Sequence, residues 1–203
     1  MFKYILYFCF VLIAGCASQA PLQSIENLSD YQLRLSAIDH WQLRGKIIVH
    51  SNNESDKAKF MWRNSVDAYK IRLSGALGMG TTYIKGDSVS VRLEQNGKAP
   101  IEADTPEQLI FDELGRDIPI SHLHFWVRGL PSSDIEIDHI IYSDDGMIKQ
   151  LNQAGWVLNY GEFSANGEWN LPSEITAARD DIALELSISK WTIDSADLAV
   201  QVQ

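Results

Sequence analysis

From Trp41 onward, apolar and polar residues exchange places at every second position. Trp41, Leu43, Gly45, Ile47 and Val49 alternate with Gln42, Arg44, Lys46 and His50, with Ile48 as the exception. Ala58, Phe60 and Trp62 alternate with Lys57, Lys59 and Arg63, and Tyr69, Ile71 and Leu73 with Lys70 and Arg72. Val89, Val91 and Leu93 do so with Ser88, Ser90, Arg92 and Glu94. A period of two sends successive side chains to opposite faces, so these runs predict an antiparallel meander with one apolar and one solvated face. The pattern returns at Ile135 to Ile141, Met147 to Leu151, Trp156 to Tyr160 and Ile182 to Trp191. Asn52-Asn53, Asp144-Asp145-Gly146 and Gln153-Ala154-Gly155 are the predicted turns.

Helical spacing appears in three places. Leu28, Tyr31, Leu35 and Ile38 predict an amphipathic helix ahead of the strands. Between the two strand runs, Thr105-Pro106-Glu107-Gln108 has the spacing of a capping box with proline at the first helical position. Leu109, Ile110 and Leu114 follow along one side, and Gly115 ends the helix. A second short helix opens at Ser121, carries Leu123, Trp126 and Val127, and stops at Gly129 and Pro131. No repeat or linker divides the chain.

Roughly ten strands with so few helices fit two arrangements. Either the interior is a fully packed core, or a curved sheet lidded by the two short helices encloses an apolar cavity. By alternation, the candidates for a cavity wall are Phe60, Trp62, Tyr69, Ile71, Leu73, Trp126, Trp156 and Leu158, with ordinary core burial as the alternative for each.

The N-terminus changes the picture. Lys3 precedes an apolar run from Tyr4 to Ala14, followed by Gly15-Cys16. That run is too short to span ~30 Å of hydrocarbon as a helix and reads as the core of a signal peptide. Ile13-Ala14-Gly15-Cys16 matches the bacterial lipobox. Small residues give the peptidase access to the backbone, and the Cys16 thiolate is the nucleophile that accepts a diacylglyceryl group. The expected organisation is a signal peptide over residues 1–15, a tether over 16–27 with N-acyl and S-diacylglyceryl lipid on Cys16, and one domain over 28–203. Two or three acyl chains make such an anchor effectively permanent, since each buried CH₂ adds ~0.8 kcal/mol. Ala17, rather than Asp, favours sorting to the outer membrane.

Of the two cysteines, Cys9 is discarded and Cys16 consumed, so no disulfide is expected in the mature chain. With 27 acidic against 17 basic residues, a nucleic-acid partner is not expected. The hydrolase signatures G-x-S-x-G and H-E-x-x-H are absent. His122 and His124 are two apart and face different sides of a helix, so they do not chelate as an i, i+4 pair would. No catalytic constellation, cofactor or metal is expected, and binding explains the sequence better than chemistry.

Specific residues then carry a resemblance. Trp41-x-Leu43-x-Gly45-Lys46, Ala58-x-Phe60-x-Trp62 and Tyr69-x-Ile71-x-Leu73-Ser74-Gly75-Ala76-Leu77-Gly78 follow in order. Leu114-Gly115, Leu123-x-x-Trp126-Val127-x-Gly129-Leu130-Pro131 and Gly155-Trp156-x-Leu158-x-Tyr160 come next, then Leu171-Pro172 and Ile188-x-Lys190-Trp191. Together they resemble the LolB family of outer-membrane lipoprotein receptors. The resemblance implies a mainly β, single-domain, antiparallel half-open β-barrel with short helices as a lid over a hydrophobic cavity. It also implies a monomer that takes lipoprotein acyl chains from a LolA-like periplasmic carrier and inserts them into the outer membrane. The family's protruding membrane-insertion leucine falls on Leu77, with Ala76 where proline is common. Another lipid- or glycolipid-binding envelope lipoprotein is the alternative function. An acidic receptor meeting an acidic carrier would need a local basic patch. Lys57, Lys59, Arg63, Lys70 and Arg72 are candidates, against the plainer reading of a solvated strand face.

Overall fold

A computed structural model describes residues 28–52, 54–75 and 80–193. Its centre is an eleven-stranded antiparallel sheet with three short helices and a separate two-stranded ribbon. In chain order, α1 (Leu28–Ser36) leads into β1 (Trp41–Ser51), β2 (Glu54–Ser65), β3 (Ala68–Ser74), β4 (Thr81–Asp87), β5 (Val91–Gln95) and β6 (Ile101–Ala103). Then come α2 (Pro106–Leu114), α3 (Ile120–Trp126), β7 (Ile137–Tyr142), β8 (Ile148–Gln153) and β9 (Trp156–Tyr160). The ribbon is β10 (Phe163–Asn166) with β11 (Trp169–Pro172), and β12 (Glu174–Arg179) and β13 (Ile182–Ile193) finish the fold.

The strand order β6-β5-β4-β3-β2-β1-β13-β12-β9-β8-β7 explains the shape. The first meander runs outward to one edge at β6, and the second reaches the other edge at β7. β1 and β13 join them in the middle, and the edges do not pair, so the barrel is open. Sequence between the two edge strands holds α2 and α3. The helices therefore bridge the gap that the sheet leaves, which satisfies the apolar face that an open barrel would otherwise expose.

Local chemistry sets these elements. β1 and β2 pair without a slip from Trp41↔Asn64 to Ser51↔Glu54, while the β1–β13 ladder shifts register at Arg44/Gly45. A Cβ on Gly45 would lie 2.2 Å from the Ser187 carbonyl oxygen and 3.0 Å from the Phe60 ring, so only glycine allows this approach. Thr105 caps α2 as its spacing predicts, its Oγ1 accepting from the Gln108 N–H at 3.2 Å. Gly115 ends that helix at φ 64° in the left-handed region. The ladder of α3 begins at Ile120, one residue before the predicted Ser121.

Three expectations need correction. Among the described residues the strands number thirteen rather than about ten. Val89 is 81% exposed in a turn where the Asp87 carboxylate accepts from the Val89 and Ser90 N–H groups, so β5 begins only at Val91. Gln153 is not a turn residue but the buried end of β8; Ala154, at φ 54°, and Gly155 make the turn.

Candidate functional site

The inward faces of β1 to β5 and the underside of the α2–α3 segment enclose an apolar cavity of about 110 Å³. Phe60 and Trp62 on β2, with Ile71 and Leu73 on β3, stand on its sheet wall, joined by Ile47, Val49, Ile84 and Leu93. The lid contributes Ile110 from α2, Ile118 and Ile120 from the connection and start of α3, and Leu123 from α3. Its lining is apolar except for Thr82, Gln95, Asp56 and Arg116. The last two form an ion pair, Arg116 Nη1 donating to Asp56 Oδ2 at 2.7 Å. Asp56 sits on β2 and Arg116 just past the Gly115 cap of α2, so the pair ties the lid to the sheet at the cavity's rim.

Register explains the wall. Phe60 lies opposite Gly45 and Leu73, and Trp62 opposite Leu43 and Ile71. Matched parity across three strands turns one long apolar row inward. Beneath it, Trp41, Trp62 and Trp191 gather: ring centroids are 5.5 Å apart for Trp41–Trp62 and 5.8 Å for Trp41–Trp191. His124 of α3 joins them, 5.4 Å from Trp41 and 6.4 Å from Trp62. Burial, with the nearby Arg128 charge second, pushes the His124 imidazole down to about 4. Its neighbour His122 faces elsewhere, toward the Ser132 hydroxyl at 3.1 Å.

The remaining sequence candidates lie outside this lining. Tyr69 packs beside Trp62, at 6.4 Å between centroids, with its ring over Gly86. Trp126, Trp156 and Leu158 are fully buried, Trp126 and Trp156 packing 6.4 Å apart. Trp126 Nε1 donates to Gln153 Oε1 at 2.9 Å, and the Tyr160 hydroxyl donates to the Trp126 carbonyl at 3.0 Å. Gln153 also accepts from the Ser132 N–H and donates to the Ser132 and Ile135 carbonyls, so its buried amide is well satisfied. This network fixes the C-terminal end of α3. Cys16 and Leu77 lie outside the described residues.

Sequence reasoning missed Arg128. Only 2% exposed, it donates through Nη1 to the carbonyls of Leu35, Ser36 and Ile38 at 3.2–3.4 Å and through Nε to that of His124. It thereby caps the C-terminal end of α1, where helix carbonyls lack partners and the dipole favours a cation. Burial lowers the guanidinium to about 10. The only sequence signal was an arginine inside the apolar run Phe125-Trp126-Val127-Arg128-Gly129-Leu130.

A family model described as outer membrane lipoprotein LolB matches residues 39–191. The outer-membrane lipoprotein LolB of Cellvibrio japonicus is 37% identical over 185 residues, covering 89% of this chain and 91% of the relative. That of Stutzerimonas stutzeri is 33% identical over 187 residues, covering 89% and 90%. A LolA superfamily protein from Nitrosomonas europaea shares the fold at 8% identity, with a TM-score of 0.53 over 85% of this chain and 97% of that one. With the open sheet, the bridging helices and the apolar cavity in place, the chain belongs to the LolB family of outer-membrane lipoproteins.

Proposed function

We propose that this protein accepts lipoproteins from a LolA-like periplasmic carrier by taking their acyl chains between its sheet and its lid, and then releases them into the outer membrane. The observation that carries the reading is the apolar cavity under α2–α3, closed at its rim by the Asp56–Arg116 pair. At about 110 Å³ it is smaller than the ~300–1,000 Å³ typical of ligand sites, so acyl chains enter by displacing the lid. Ile110, Ile118 and Leu123 are then uncovered from one another and covered again by acyl methylenes. The exchange is of apolar contact for apolar contact.

Such transfer breaks no covalent bond. Each CH₂ loses and regains ~0.8 kcal/mol on moving from one apolar site to another, so the large contributions cancel. Direction follows from small differences: ~1.4 kcal/mol per tenfold preference, from carrier to receptor to bilayer. Lipid on Cys16 holds the receptor at its destination, and Leu77 supplies an apolar side chain that enters the bilayer. The protein acts as a monomer without a cofactor. The test is incubation with a carrier loaded with radiolabelled lipoprotein, followed by separation. Label moving to this protein supports the reading; label remaining on the carrier, with glycolipid bound instead, would replace it with a glycolipid-handling role.

A further inference from the structure

The face of the sheet opposite the cavity carries a second feature. Arg44 and Lys46 on β1, Lys59 on β2 and Arg72 on β3 are all exposed and line one groove of about 870 Å³. They alternate with the inward Leu43, Ile47, Phe60 and Ile71, so they point away from the cavity. Lys46 and Lys59 are direct cross-strand partners, a like-charge pairing that destabilises a sheet. In a chain of net charge −10, cations are expected to find acids. Some elsewhere do: Lys85 pairs with Glu94, Arg92 with Glu94 and Glu102, Arg34 with Asp30 and Glu168, and Arg179 with Asp117. None of the four groove cations has a carboxylate within ion-pair distance among the described residues, although Glu162 and Glu174 stand on the groove's other wall. Ser74 on β3 lies beside Lys59 and Ser187 on β13 beside Lys46, at the two ends of one cross-strand row.

We infer that this groove binds the phosphates of anionic phospholipid head groups, docking the outer face of the sheet on the membrane surface. Guanidinium and ammonium groups without carboxylate partners, gathered on one face, are the donor set that phosphate oxygens require. Two features favour a lipid surface over a protein. A carrier handing acyl chains to the cavity meets the lid side, whereas the groove lies on the other face. Residues 17–27 span at most roughly 36–40 Å when extended, so a lipid-anchored body stays next to head groups at high effective concentration. The groove also ends at Ser74, beside the hairpin base where the Gly75 N–H donates to the Gly80 carbonyl at 3.4 Å. The inference rests on the receptor reading above and deepens it by naming how the body meets the bilayer.

The test uses the full lipidated protein reconstituted into vesicles of phosphatidylcholine, with or without phosphatidylglycerol. Lysines are modified by a water-soluble amine reagent and read by mass spectrometry. On anionic vesicles Lys46 and Lys59 should react about fivefold or more slowly, as expected for cations held at an anionic surface, while the exposed Lys98 and Lys149 keep their rates. Equal rates on both vesicle types overturn the inference. Protection that appears only when carrier is added, whatever the lipid, also overturns it and assigns the face to a protein. A variant combining Arg44→Gln, Lys46→Gln, Lys59→Gln and Arg72→Gln should still take lipoprotein from the carrier but deliver it about tenfold more slowly to anionic vesicles, with delivery to neutral vesicles unchanged. Unchanged delivery to anionic vesicles sinks the inference alone. Failure of the wild type to take lipoprotein from the carrier sinks the receptor reading instead.

Discussion

Asp56 and Arg116 meet at 2.7 Å across the rim of the cavity, one from the sheet and one from the lid. Their side chains are 22% and 12% exposed, between a solvated surface pair and a fully buried one. Breaking the pair should therefore cost more than the ~0.2–1 kcal/mol of a surface ion pair and less than the ~3–5 kcal/mol of a buried one. Asp56→Asn and Arg116→Gln should each lower the melting temperature by roughly 3–6 °C. If the pair holds the lid closed, both variants should bind a fluorescent fatty acid faster than wild type, and the double variant should show strong non-additivity. Unchanged probe kinetics would remove the pair from lid control.

His124 gives the lid a pH dependence. Its folded pKa is about 4 against an ordinary 6.5, because burial disfavours the charged imidazolium and Arg128 repels it. Between those values the unfolded chain binds a proton that the folded chain does not. Stability is thus full above pH 6.5 and falls as pH drops toward 4, by up to roughly 3 kcal/mol from this group. Denaturant unfolding at a series of pH values should show that slope, and His124→Phe should flatten it. A slope identical in the variant would assign the effect to other groups.

Filling the cavity separates folding from binding. Leu73 stands on the wall and is only partly buried, so a larger side chain can extend into the space above it. Leu73→Trp should keep the cooperative unfolding transition, at a cost of about 1–3 kcal/mol from overpacking. Fatty-acid binding should weaken tenfold or more, because the lid side of the cavity is then occupied. Wild-type affinity in a folded Leu73→Trp protein would place the acyl chains elsewhere.

How much of this could be read from the chain depended on which surfaces were wet. β1 to β3 have one solvated face, so Phe60, Trp62, Ile71 and Leu73 announced their inward direction by alternation. β11 has none: Trp169, Asn170, Leu171 and Pro172 are all buried, and no period of two survives to mark a strand. The Tyr31 hydroxyl bridges the backbone N–H and carbonyl of Asn170 there, a contact made across 139 residues. β4 turns Thr82, Ile84 and Gly86 inward, and a single large apolar residue is too weak a signal. Trp156 and Leu158 alternate as well as the wall residues do, yet they and Trp126 of α3 pack at zero exposure outside the cavity lining. Periodicity gives the face a side chain points to, not how far a helix stands off that face. That distance, set here by Arg116, His124, Arg128 and Gln153, separates a cavity from a core.

Cys16 lies outside the described residues, and its lipidation is open to direct measurement. Mass spectrometry of the protein from membranes should show an N-terminal Cys16 carrying diacylglyceryl and acyl groups. Cys16→Ala should leave the signal peptide uncut by the lipoprotein peptidase. A wild-type mature chain with an unmodified Cys16 would overturn the anchor.

Leu77 also lies outside the described residues, in the β3–β4 connection whose base is pinned by Gly75 and Gly80. Both glycines have positive φ, at 80° and 75°, so the chain reverses there without strain. A leucine carried into the acyl layer from such a hairpin offers ~1.5–3 kcal/mol of burial, enough to shift a membrane encounter tenfold or more. Leu77→Glu reverses that preference, because a carboxylate resists entering hydrocarbon. Among the described residues, the lid pair and the cavity wall are complete without this connection, so uptake should be untouched. The expected variant folds with a normal melting temperature, takes lipoprotein from a loaded carrier at the wild-type rate, and delivers it poorly to liposomes. All three are measured on one preparation. Normal delivery would take Leu77 out of the mechanism, and a large fall in melting temperature would show that its side chain belongs to the core.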